Sequence, residues 1–253
     1  MSTGAEGLEG GAGMGGEAGV TRRFVLQRVA LTGGLAAMGL GGALARAGQE
    51  ASGVSPAEDL MREHGVLRRL LLVYEAGMRR MRQGGQAPMG VLHRAATIIR
   101  DFIEQYHEKL EEQYVFPLFK GSQGLGPLTQ VLLAQHKAGR AVTARILQQT
   151  AATGASALGA DMRAFVRMYR PHAAREDTVL FPALHAALSE DAYADMGERF
   201  EDKEHELFGA SGFEGVVKDV AALEQALGIY ALDQFTPGVQ PEEAPAAPGG
   251  QPI

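Results

Sequence analysis

No cysteine occurs in the 253 residues of this chain. That excludes disulfides, thiolate metal sites, iron–sulfur clusters and a cysteine nucleophile. Any metal must therefore be held by histidine and carboxylate. Tryptophan is also absent and aromatic residues make up 6% of the chain, so a core must be built mostly from Leu, Val, Ala and Met. A surplus of basic charge is lacking too. The formal net charge is −6, which argues against a nucleic-acid partner. No segment shows strand-like alternation, and no Ser–His–Asp order, phosphate loop or reductase domain is recognisable.

What is present suffices for one sizeable domain with tails or for two small domains, and 45% of the residues are hydrophobic. Residues 1–20 are rich in Gly, Ala and Glu and carry no periodicity. They are followed by "TRRFVLQRVALTGGLAAMGLGGALARAG", in which Arg22-Arg23 precedes an uncharged run over 29–45. Ala45-Arg46-Ala47 then offers a small-x-small cleavage site. This resembles a twin-arginine export signal. Thr21, Arg22, Arg23, Val25 and Leu26 fit the pattern, whereas Val25 stands where Phe is preferred and Gln27 where Lys is common. The uncharged run lies at the short edge for spanning a bilayer, so an uncleaved membrane anchor is the rival reading. The resemblance implies the twin-arginine export machinery as a partner and a location across the cytoplasmic membrane, in the periplasm or cell exterior. Because that route moves folded proteins, a cofactor would be loaded before export. Residues 1–47 thus form a signal with a flexible start, 48–55 a linker, and the Pro/Gly/Ala-rich 236–253 a disordered tail.

The middle of the chain is helical in pattern. Ser55-Pro56-Ala57-Glu58 is a helix start, and His64, Leu67, Leu71, Tyr74, Met78 and Met81 then recur three and four residues apart. A second helix, over about 89–115, aligns Leu92, Ala96, Ile99, Ile103, His107, Glu111 and Val115. A third, from about Pro127, aligns Leu128, Leu132, His136, Thr143 and Leu147. A fourth, from about Ala160, aligns Phe165, Met168, His172 and Glu176. Short Gly-rich links suggest an all-α, up-down four-helix bundle over 56–188. One or two further helices are expected in an extension over 189–235.

Two stretches repeat one skeleton: "HEKLEEQYVFP" from His107 and "HAAREDTVLFP" from His172. Residues four apart on a helix lie one turn above each other on one face. A buried carboxylate on an apolar stripe is costly unless something pairs with it. A single His-x-x-x-Glu is common in helical proteins. Two copies with the same Phe-Pro ending, each preceded by a helix with a lone histidine, point instead to a shared site for a pair of divalent cations.

The order His64, then His107/Glu111, then His136, then His172/Glu176 resembles the hemerythrin-like (HHE cation-binding) family, from about Pro56 to Leu188. The resemblance implies a four-helix bundle holding two iron ions, although manganese or zinc suit the same donors. The implied ligands are His64, His107, Glu111, His136, His172 and Glu176, with Glu111 and Glu176 as bridges. Glu108 and Asp177, next to ligands, are read as solvated or as outer neighbours. Hemerythrins proper carry five histidines in an asymmetric set, and this symmetric pattern departs from it. His205, in "EDKEHELFG", is the candidate for an additional ligand, although its charged neighbours equally suit a solvated face. His93 and His185 are read as structural or exposed, and Tyr74, Tyr106, Tyr114 and Tyr169 as lying near ligand level. A ferritin-like alternative needs two Glu-x-x-His motifs; Glu104–His107 supplies one, and Tyr169 stands where the second needs Glu. The implied function is binding or sensing of dioxygen, nitric oxide or peroxide. The alternatives are a diiron oxidase or peroxidase and a metal-handling or structural bundle.

Overall fold

The computed structural model describes residues 54–152 and 157–238. The twin-arginine-like stretch with Arg22 and Arg23, and the final fifteen residues of the tail, lie outside the described residues.

Helix α1 (Pro56–Arg82) begins as its sequence dictates. The Ser55 side chain accepts the Glu58 N–H, Pro56 occupies the first turn, and Glu58 and Asp59 face the positive end of the helix dipole. Arg79, Arg80 and Arg82 occupy the opposite end. Helix α2 runs over residues 89–119, α3 is Gly126–Ala151, and α4 runs over 158–187. Each of the four packs on the next, and α4 returns to α1, which closes a four-helix bundle. No strand occurs among the described residues, and none of their helices is long and apolar enough to cross a membrane.

Two more helices follow, α5 (Glu190–Phe208) and α6 (Gly212–Leu227). Both pack against α1 and α2 and against each other. Phe200 and Val220 are fully buried there, and Phe208 and Phe213 close over Phe102 at ring-centroid distances of 5.4 and 6.4 Å. Each such buried side chain contributes about 1.5–3 kcal/mol. Arg69 on α1 donates two hydrogen bonds to Glu224 on α6, at 2.9 and 2.5 Å. The extension is therefore a packed wall of the bundle.

The second helix continues past the expected end at Val115. Both motif helices pass through π-helical turns, Glu111–Val115 and Glu176–Leu180, and then resume as α-helix at Phe116–Phe119 and Phe181–Ala187. In each, the Phe N–H reaches back five residues to the carbonyl of the motif Glu: Phe116 to Glu111, and Phe181 to Glu176. The following Pro sits in the first turn of the resumed α-segment, where its missing N–H costs little. Phe-Pro therefore marks a π-turn beside the paired glutamates rather than a helix end. Such turns recur at functional sites.

Candidate metal centre

Each bundle helix brings one imidazole to the same buried level. His64 and His136 are fully buried, and His107 and His172 nearly so. The rings form two pairs, His64 with His107 (centroids 4.7 Å apart) and His136 with His172 (5.0 Å). Between the pairs stand the carboxylates of Glu111 and Glu176, both fully buried. Glu111 lies 3.7 Å from His107 Nε2 and 3.3 Å from His136 Nε2. Glu176 lies 3.3 Å from His64 Nε2 and 3.1 Å from His172 Nε2. Each carboxylate thus touches an imidazole of either pair, the placement a bridging ligand requires.

All four histidines use Nδ1 on an outer partner. His64 Nδ1 lies 2.6 Å from Asp177, His107 Nδ1 2.6 Å from Glu63, His136 Nδ1 3.2 Å from Glu112, and His172 Nδ1 2.9 Å from Gln135. With a proton fixed on Nδ1, the Nε2 lone pair is turned inward, the usual orientation of metal-bound imidazoles. The partners repeat like the ligands. Glu63 and Gln135 directly precede the lone histidines; Glu112 and Asp177 directly follow the paired glutamates. Arg68 and Arg140, each four residues after a lone histidine, bind those outer acids in turn: Arg68 bonds Asp177, and Arg140 bonds Glu112 at 2.5 Å. The two Phe-Pro rings complete the pattern. Phe116 stacks on His136 at 5.3 Å and Phe181 on His64 at 5.4 Å.

The donor set fits metal binding. All four oxygens of Glu111 and Glu176, and Nε2 of His64 and of His107, are buried without a hydrogen-bond partner in the protein. The other two Nε2 atoms face each other at 3.2 Å. Such unpaired buried groups are costly unless a ligand meets them. Ligand atoms of Glu111, His136, His172 and Glu176 lie within 4.8 Å of one another, as do those of His64, His107 and Glu111. Imidazole and carboxylate without thiolate suit iron, manganese or zinc.

In the metal-free protein, protons supply the missing positive charge. Burial opposes charge on His64, but the hydrogen bond to Asp177 and the adjacent Glu176 carboxylate outweigh it and lift the pKa to about 9. Burial is likewise overcome at His136, by Glu111 and Glu112, which raise it to about 10. His107 is raised in the same way by the charge of Glu111 and the bond to Glu63. Glu176 moves oppositely: burial would raise it, but His172 and His64 hold it well below the carboxylate range. Burial also works against charge on Glu112, whose bonds to His136, Lys109 and Arg140 bring it down to about 2.

One half of the pseudo-repeat carries something extra. Glu108, expected as a solvated or outer neighbour, is 1% exposed, and burial pushes its pKa up to about 7. Tyr169 donates to it at 2.5 Å and Arg140 at 2.7 Å. The corresponding residue after His172 is Ala173. Tyr169 reaches Glu108 across Gly139, where a Cβ would meet the tyrosine hydroxyl at 2.0 Å. Asp177 is the outer partner the sequence suggested for a neighbour of Glu176.

His205 is exposed on α5 and stands in none of the clusters of metal-binding side chains among the described residues. His93 bonds Thr150 at 2.9 Å, and His185 stacks on Tyr193 at 4.6 Å. Of the four tyrosines, Tyr169 has its ring 5.2 Å from that of His172, and Tyr106 stands near Glu63. Sequence reading overlooked Glu63, Glu112, Gln135, Arg68 and Arg140. Aligning the two halves residue by residue would have marked them, since each sits at the same offset from a ligand in both.

Comparison with known proteins agrees with this geometry. Residues 55–184 match the family described as the hemerythrin HHE cation binding domain. An uncharacterized protein of Mycobacterium bovis is 51% identical over 190 residues, which cover 73% of this chain and 74% of that protein. An uncharacterized protein of Mycobacterium tuberculosis matches to the same extent. No solved structure matches significantly. With its family's motif spread over four helices and its donors turned inward, the chain belongs to the hemerythrin HHE cation-binding family.

Proposed function

We propose that this protein is an exported non-haem diiron protein that binds or senses dioxygen or a related small species such as nitric oxide or peroxide. One observation carries the reading: four imidazoles converge on two buried carboxylates whose oxygens have no hydrogen-bond partner in the protein. In this reading, His64 and His107 would hold one ion and His136 and His172 the other, with Glu111 and Glu176 as carboxylate donors to the pair. Bound ferrous iron would supply electrons and an exchangeable position for a small ligand.

The residues around the donors have separate tasks. Asp177, Glu63, Glu112 and Gln135 fix the imidazole orientation through Nδ1. Phe116 and Phe181 cover His136 and His64 and keep water from those faces. A groove of about 240 Å³ between α1 and α4 is lined by Leu67, Leu71, Leu72, Tyr169 and Ala173 together with two arginines. Its mostly apolar walls suit a small uncharged ligand. Export rests on Arg22-Arg23 and the uncharged run after it, and a route for folded proteins suits a centre loaded beforehand.

The Tyr169–Glu108 hydrogen bond favours a second reading, a diiron oxidase or peroxidase. A buried phenol bonded to a buried carboxylate beside a redox centre can pass a proton and an electron, which reversible binding does not need. Loading with ferrous iron without air, then admitting air under an absorption spectrometer, separates the readings. A spectrum that reverses when air is removed marks binding. Irreversible oxidation with turnover of oxygen or peroxide marks an enzyme. Zinc or a single ion in protein from its native host contradicts both.

A further inference from the structure

We propose a third cation site, distinct from the paired histidines, in which Asp59, Glu63 and Glu204 bind a hard divalent cation at the seam between α1 and α5. Oxygens of these three side chains lie within 4.8 Å of one another. Two metal–oxygen bonds of about 2.4 Å each cover that span. The donors are oxygen alone, which selects calcium, manganese or magnesium rather than the softer ions that imidazole attracts.

An acidic cluster on a surface would mean little, but this one is built inward. Glu63 is fully buried and Asp59 is 6% exposed. Glu63 uses Oε2 on His107, and its Oε1 is buried with no hydrogen-bond partner in the protein. Glu204 is turned toward the seam by the α5–α6 corner. The Phe213 N–H donates to its Oε1 at 2.9 Å, and the carboxylate lies where a Cβ on Gly212 would stand, 2.0 Å away. Gly212 also has φ of 36°, a conformation that disfavours a side chain. The corner thus needs glycine twice over, and both needs serve the placement of Glu204.

The charges do not balance within the protein. Arg62, 3.6 Å from Asp59, is the basic neighbour, and it is shared with the face of Phe213 at 4.3 Å and with Glu214 at 3.9 Å. Burial first, then Glu63 and Glu204, push the Asp59 carboxyl up to about 7. Three carboxylates therefore repel one another around a space that a cation would neutralise. Glu63 joins this site to the paired histidines, because its other oxygen holds His107. Half-buried Glu204 gives the site its opening to solvent.

Manganese binding to the iron-loaded full chain tests the proposal, with free Mn²⁺ read from its aqueous EPR signal. The wild type is expected to bind one Mn²⁺ per chain beyond its iron. Asp59→Asn and Glu204→Gln should each weaken that binding at least tenfold with iron content unchanged. Both substitutions remove like-charge repulsion, so the metal-free variants should melt no lower than the wild type, and Mn²⁺ added to the iron-loaded proteins should raise the melting temperature of the wild type alone. No manganese uptake by the wild type, or equal uptake by both variants, would overturn the site. Failure of the diiron reading would appear separately, in the iron count.

Discussion

Glu63 stands beside His64 in sequence but serves the imidazole of another helix: its Oε2 lies 2.6 Å from His107 Nδ1. The matching bond in the other half, from His172 Nδ1, goes to neutral Gln135 at 2.9 Å. A carboxylate makes its imidazole a stronger donor than an amide does. Glu63→Gln should therefore lower metal affinity on the His64–His107 side by roughly 10–100-fold. Asp177→Asn should do the same on that side through His64. Calorimetric titration of the metal-free protein would show weaker binding on that side, with Glu63→Gln drawing the two halves closer together; unchanged affinities would remove the orienting role.

Gly139 is the point where the asymmetric half is tightest. A Cβ there would meet the Tyr169 hydroxyl at 2.0 Å and drive it from Glu108. Gly139→Ala should destabilise the protein by about 1–3 kcal/mol from overpacking, against a helix-propensity gain of about 1 kcal/mol. In a Tyr169→Phe background the penalty should shrink, because the hydroxyl is the closest atom. Urea unfolding of the four proteins in this cycle measures the coupling, and additive effects would break the link between the two residues.

Stability of the metal-free protein should depend on pH through its histidines. His64 and His136, raised to about 9 and about 10, bind protons more tightly folded than unfolded. Their contribution is full below pH 6.5, the ordinary histidine value, and is lost as pH rises through 9 to 10. Glu176, depressed in the folded state, contributes above the ordinary carboxylate range and loses that contribution on acidification. The melting temperature without metal should therefore fall steadily between pH 6.5 and 10. Metal replaces these protons, so the loaded protein should hold its melting temperature over pH 7–9 and release protons as it loads. A metal-free melting temperature that rises across this window contradicts the charge assignment.

The six inward donors were legible from helical spacing together with the resemblance to the family. Four residues make one helical turn, so His107 above Glu111 and His172 above Glu176 follow from sequence. The lone histidines follow from the apolar stripes they interrupt. The outer partners were hidden, because Glu63 and Glu112 act on neighbouring helices and their use depends on which helices touch. The burial of Glu108 was hidden for the same reason: Tyr169 and Arg140, which make it tolerable, arrive from two other helices. Phe116-Pro117 marked the repeat in the sequence but not the π-turn that precedes it. Proline after a π-turn opens a new α-segment, and only backbone hydrogen bonds reveal that.

The convergence of Glu111 and Glu176 on both histidine pairs is the centre of this account, and metal counting tests it most directly. Iron-loaded wild-type protein, passed over chelating resin and analysed by plasma mass spectrometry, should retain two iron ions per chain. The Glu111→Ala/Glu176→Ala variant should retain fewer than one while keeping its helical circular dichroism. One ion in the wild type, or two in a folded double variant, would contradict the bridged pair.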